Sequence, residues 1–155
     1  MTTAQHELVL ELILDAKPGN LYRCWTEPEL IKQVFAPKPW TTPHAEIDLR
    51  AGGGSVITMR SPEGQEFPNK GQYLEVTPGK KLVFTDAFTG DWVPGENAPF
   101  MTAYLTFDDA GDGKTKYTAR ARHWSAKAKA QHEQMGFIPG WTVVAKQMEA
   151  LAQTL

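Results

Sequence analysis

The sequence is poor in cysteine and has no long apolar run, and each shortage excludes a class of protein. Cys24 is the single cysteine among 155 residues, so no intrachain disulfide can form, which fits a reducing compartment. The best apolar stretch, Leu8 to Leu14, is broken by Glu11 and falls far short of the roughly 20 residues that cross a bilayer. The opening residues, Met-Thr-Thr-Ala-Gln-His-Glu, lack the basic start and apolar core of an export signal. The expectation is a cytoplasmic protein with no membrane partner. An excess of charge of one sign is missing too. A net charge of −2 gives no electrostatic pull toward nucleic acid, which is therefore not an expected partner. Repeats, low-complexity tracts and interdomain linkers are also lacking, and the length suits one domain over residues 1–155.

What the chain does have is bulk. Five Trp, seven Phe, four Tyr and five Met exceed what a minimal core of this size requires. Such groups either pack against one another or line a hollow, because aromatic walls are common around small-molecule sites.

Residues 7–14 alternate, with Leu8, Leu10, Leu12 and Leu14 on one face, the period-2 signature of a strand. Pro18 then suits the first position of a helix. Leu21, Cys24, Trp25, Leu30, Ile31, Val34 and Phe35 recur at helical spacing. Pro28 divides that stretch into two short helices, 18–25 and 27–35. Thr26 followed by Glu29 reads as a capping box for the second. Residues 36–43 hold Pro37, Pro39 and Pro43 and read as an extended connection.

Six alternating segments follow, at 44–50, 54–60, 67–77, 80–88, 101–108 and 115–122. They are separated by Gly52-Gly53-Gly54, Pro62-Glu63-Gly64, Pro78-Gly79 and Gly111-Asp112-Gly113. Connections this short join antiparallel neighbours. The exception, 89–100, is longer than a hairpin needs, a length associated with functional loops. Beyond Ser125, which can cap a polar first turn, Pro139-Gly140 reads as a break. Trp141, Val144, Ala145, Met148, Leu151, Ala152 and Leu155 then trace one apolar helical stripe. The expected fold class is α+β: a seven-stranded curved antiparallel sheet wrapped around a long C-terminal helix, with two short helices after the first strand.

Few residues offer chemistry. Tyr117, Ala119, Ala121 and His123 share a parity opposite Lys116, Arg120 and Arg122, so they face the helix, and the alanines leave space there. Leu82, Phe84, Asp86 and Phe88 share a face as well, which puts a carboxylate on an apolar surface. His123 and Asp86 are thus the one acid/base pair the pattern brings inward, either as catalysts or as hydrogen-bonded rim residues. His6, His44, His123 and His132 show no metal-ligand spacing, so no metal and no cofactor is expected. Gly52-Gly53-Gly54 lacks the spacing of a phosphate loop and reads as a turn. Ser55, Ser61 and Ser125 lack a nucleophile-elbow context. Arg120, Arg122, Lys127 and Lys129 read as a solvated basic face.

Several runs, taken in order, carry a resemblance. They are Leu21-Tyr22-Arg23-Cys24-Trp25-Thr26-Glu27-Pro28-Glu29-Leu30, Phe35-Ala36-Pro37-Lys38-Pro39-Trp40-Thr41, Gly52-Gly53 and Gly71-Gln72-Tyr73-Leu74-Glu75-Val76-Thr77-Pro78. Leu82-Val83-Phe84-Thr85-Asp86 and the close from Met135-Gly136-Phe137 to Gly140-Trp141 continue it. The chain resembles the family of the activator of heat-shock-protein-90 ATPase, within the SRPBCC (START-like, birch-allergen-like) superfamily. The resemblance implies a helix-grip fold with a cavity under the long helix. It implies no single activity, since that superfamily holds lipid and hormone binders, polyketide cyclases and chaperone co-factors.

The leading expectation is a binder of a small hydrophobic molecule. Its walls would be Phe84, Phe88 and Tyr117 from strands, and Trp40 and Trp92 from connections. The helical end would add Phe137, Trp141, Val144 and Met148, with Asp86 and His123 as polar contacts. The alternatives are a cyclase- or hydrolase-like enzyme using His123 and Asp86 in the same cavity, and a chaperone-interacting domain. Monomer and homodimer both remain open.

Overall fold

The computed structural model describes residues 6–97 and 99–155. The first strand, β1 (Glu7–Leu14), buries Leu8, Leu10 and Leu14, while Val9 and Ile13 on its other face are exposed. α1 (Pro18–Thr26) starts on Pro18 and stops because Pro28 forces Glu27 into extended backbone, with φ −95° and ψ 122°. Glu27 is therefore the N-cap of α2 (Pro28–Val34), and the expected Thr26–Glu29 capping box does not form. Thr26 still belongs to α1, and its hydroxyl donates to the Tyr22 carbonyl at 2.9 Å.

The six further strands are β2 (Thr41–Ile47), β3 (Gly54–Arg60), β4 (Glu66–Thr77), β5 (Lys81–Thr85), β6 (Met101–Gly111) and β7 (Lys114–His123). All neighbours are antiparallel, in the order β1-β7-β6-β5-β4-β3-β2. β2 begins three residues before the expected 44–50. Pro43 is accepted because β2 is an edge strand and its register shifts between Thr41 and His44. β5 ends at Thr85 instead of 88, because Asp86 turns to bind the chain returning at Phe100. Gly52-Gly53-Gly54 is more than a turn. A Cβ on Gly53 would stand 2.0 Å from the Asp48 carbonyl oxygen, and one on Gly54 would stand 2.5 Å from that of Thr89. The triplet lets the 86–100 connection lie directly on the sheet end, where the Asp91 amide donates to the Gly52 carbonyl at 2.7 Å.

Ser125 caps α3 (Ala126–Gln134), accepting from the Ala128 amide at 3.1 Å. The helical break comes earlier than Pro139-Gly140. Gly136, at φ 92°, is the left-handed N-cap of α4 (Phe137–Ala152). Pro139 falls in the first turn of α4, where a missing N–H costs no intrahelical bond. Leu155 lies beyond the helix and is exposed, so the apolar stripe ends sooner than its spacing suggested.

This is a helix-grip fold. Its solid core lies between β1, β7, β6, α1 and the C-terminal half of α4, centred on Leu14, Leu21, Leu105, Tyr117 and Met148. Ala103, Ala119 and Ala121 are fully buried within it, so the small side chains of β6 and β7 leave no void against the sheet. The N-terminal half of α4 lies over the other half of the sheet, and there the packing opens. Among the described residues no helix is long and apolar enough to cross a membrane.

Candidate functional site

Between the first turns of α4 and strands β3 to β5 lies a cavity of about 890 Å³. Its helical side is Phe137, Trp141 and Val144, and its sheet side includes Ile57, Tyr73 and Phe84. α1 and α2 contribute Trp25 and Phe35, and the 86–100 connection contributes Val93, Pro94 and Phe100. Trp25 is the hub of the wall. Its ring centroid stands 6.0 Å from Phe84, 6.1 Å from Phe35 and 6.3 Å from Trp141. Phe137 packs on Trp141 at 4.9 Å, so aromatic surface runs continuously from sheet to helix.

Three polar side chains on this wall have defined surroundings. Asp86 accepts from the Phe100 amide at 3.0 Å on both carboxylate oxygens and from the Met101 amide at 3.2 Å. Those bonds anchor the end of the long connection to the floor of the cavity. Tyr73 is buried, and burial pushes its hydroxyl pKa up to about 12, so it is neutral at physiological pH. His132 lines the cavity from α3 and is buried. Its Nδ1 lies 2.9 Å from Nε2 of His123, whose own Nδ1 lies 3.1 Å from the His6 carbonyl oxygen. Burial first, and the neighbouring His123 second, lower the His132 pKa to about 4, so the ring is uncharged at neutral pH.

Of the residues singled out from sequence, Phe84, Asp86, Phe137, Trp141 and Val144 lie on this wall. The others lie elsewhere. Tyr117 and Met148 are sealed in the solid core, where Tyr117 packs on Phe107 at 5.7 Å. Trp40 packs on Phe67 at 5.6 Å, beside a separate, smaller hollow. Phe88 and Trp92 pack edge to face at 5.4 Å, and Trp92 is 60% exposed on the outside of its loop. His123 is buried, with His132 between it and the cavity. Sequence reasoning did not single out Trp25, Phe35, Tyr73, Phe100 or His132. Trp25 and Phe35 were legible on the apolar face of the helix pair, but only the tertiary fold aims that face into a hollow. His132 sits in a helix with no apolar stripe and gave no signal.

A sheet gripping a C-terminal helix, with an aromatic hollow at the helix's N-terminal end, defines an SRPBCC-type domain. Within that class the chain belongs to the family described as activator of Hsp90 ATPase homolog 1-like protein, whose model matches residues 15–153. Among solved structures, a protein from Nitrosomonas europaea is 38% identical, with a TM-score of 0.92 over 99% of this chain and 97% of that one. One from Mycobacterium smegmatis is 25% identical, with a TM-score of 0.78 over 97% and 95%. An AHSA1-like protein from Aeromonas hydrophila shares the fold at 19% identity, with a TM-score of 0.73 over 94% and 93%. No curated protein matches the chain.

Proposed function

We propose that the chain binds a small, largely apolar molecule between the sheet and the first turns of α4. The observation that carries this reading is the cavity of about 890 Å³ with aromatic rings on both of its layers. A ring buried against such walls contributes about 1.5–3 kcal/mol. Micromolar binding, about −8 kcal/mol, therefore needs several rings in contact to offset the cost of association. Trp25, Phe84, Phe137 and Trp141 form a contiguous set of the required size.

The family description names an activator of Hsp90 ATPase, and that activity belongs to the namesake. An acid/base reading built on His123 and Asp86 draws less support from the geometry. Both His123 ring nitrogens are occupied, and the Asp86 carboxylate is engaged by two backbone amides. The test is a titration with Nile red, a neutral apolar dye without a hydrogen-bond donor. Saturation near one dye per chain, weakened about tenfold or more in Trp141→Ala, is expected. Absence of saturable binding would refute the proposal.

A further inference from the structure

The two buried histidines form a directional relay, and its direction follows from the groups at its ends. A carbonyl oxygen can only accept, so His123 Nδ1 must carry the proton that it shares with the His6 carbonyl at 3.1 Å. The His123 backbone amide donates to the same oxygen at 2.7 Å, which holds the ring's position. In the neutral ring, Nε2 of His123 then carries a lone pair, and it faces His132 Nδ1 at 2.9 Å. His132 Nδ1 must in turn be the donor, which leaves its Nε2 unprotonated. Among the described residues Nε2 has no hydrogen-bond partner, and it belongs to a ring that is 8% exposed and lines the cavity.

The surroundings hold this ring in place and define what can approach it. Phe100 packs on both imidazoles, at 5.5 Å from His123 and 5.0 Å from His132. Phe137 packs on His132 from α4 at 4.9 Å. The other charged groups on the wall are Asp86, Glu96 and Lys70, the last on an exposed stretch of β4. The apolar interior therefore presents acceptors, His132 Nε2 and the Asp86 carboxylate, and no buried cation to pair with an acidic ligand.

We infer that the relay His6–His123–His132 makes the cavity selective for neutral apolar molecules carrying a hydroxyl donor, such as phenols, over their ethers and over carboxylates. A hydroxyl seated on His132 Nε2 satisfies a buried acceptor, whereas an ether oxygen meets it lone pair to lone pair. A carboxylate would add a charge beside Asp86. His132 is the contacting residue, and His123 is a positioning residue that sets the tautomer. The inference rests on the cavity-binding reading and deepens it.

Three matched probes separate the two ideas: 4-phenylphenol, 4-methoxybiphenyl and biphenyl-4-carboxylate, titrated against the full chain at neutral pH. The phenol should bind about three- to tenfold more tightly than the ether, with the carboxylate weakest. His132→Phe, which keeps a ring in the wall, should abolish that preference and leave Nile red binding intact. Nitrogen-15 NMR of the imidazoles should show His132 protonated on Nδ1 and bare on Nε2, and His123→Phe should disturb that state. Equal affinities for phenol and ether, a preference that survives in His132→Phe, or a protonated His132 Nε2 would each overturn the relay while leaving the cavity reading in place. Failure of all three probes and of Nile red would overturn both.

Discussion

Val144 and Ala145 are adjacent on α4, yet Val144 faces the hollow and Ala145, at 2% exposure, faces the solid core. Replacing each in turn by Phe measures the boundary between the two regions. At position 145 the new ring meets a filled interior around Leu21 and Met148, where over-packing costs about 1–3 kcal/mol or more. At position 144 the ring enters a space of about 890 Å³ already walled by Trp25 and Phe84. There the added apolar contact contributes up to about 1 kcal/mol of stability, against a helix-propensity change of only a few tenths. For a domain of this size 1 kcal/mol moves Tm by about 2–4 °C. Ala145→Phe should therefore melt several degrees lower, while Val144→Phe melts at or above the parent. Urea midpoints at constant m-value provide the assay, because they compare stabilities without a long extrapolation. Val144→Phe should also weaken Nile red binding, since it occupies the same volume. Equal destabilisation by both substitutions would mean that the space under α4 is closed in solution, and the binding proposal would fall with it.

The carboxylate and the buried imidazole carry two further predictions. Asp86→Asn keeps an acceptor but loses charge assistance to the Phe100 and Met101 amides, and should lower unfolding stability by about 1–2 kcal/mol; an unchanged urea midpoint would contradict that anchoring role. His132 has a folded-state pKa of about 4, below the ordinary value of 6.5, so the unfolded chain binds the extra proton between those limits. Its contribution is accordingly complete above about pH 6.5 and declines as pH falls toward 4. The decline is at most about 3 kcal/mol, and smaller where water enters the cavity. The difference in stability between parent and His132→Phe, followed by urea titration from pH 7 to 4, should shrink over that window, and a pH-independent difference would refute the assignment.

Much of the architecture was legible from local pattern. The alternation of Leu8, Leu10, Leu12 and Leu14 and the apolar stripe from Trp141 to Ala152 each report burial through a period, which needs no knowledge of the partner layer. Boundaries were less legible where a neighbour decides them. β5 stops at Thr85 because Asp86 binds amides 14 and 15 residues away, and β2 accepts Pro43 because no strand lies beyond it. The helical break moved from Pro139-Gly140 to Gly136 because a proline is compatible with a first turn, whereas the left-handed backbone at φ 92° is not helical.

The sequence by itself determined the fold class, since period, punctuation and the order of segments leave few ways to bury one sheet face under one amphipathic helix. It also determined that Phe84, Asp86, Tyr117 and His123 point inward, because strand parity follows from the backbone alone. Only the tertiary structure decided which inward residues meet a hollow and which meet solid packing, as the contrast of Phe84 with Tyr117 shows. It alone brought His132, from a helix without an apolar face, onto His123 and the cavity wall. The physical reason is that burial is a property of one element against the rest, whereas a void and a side-chain relay belong to the gap between elements, and no local period encodes the width of that gap.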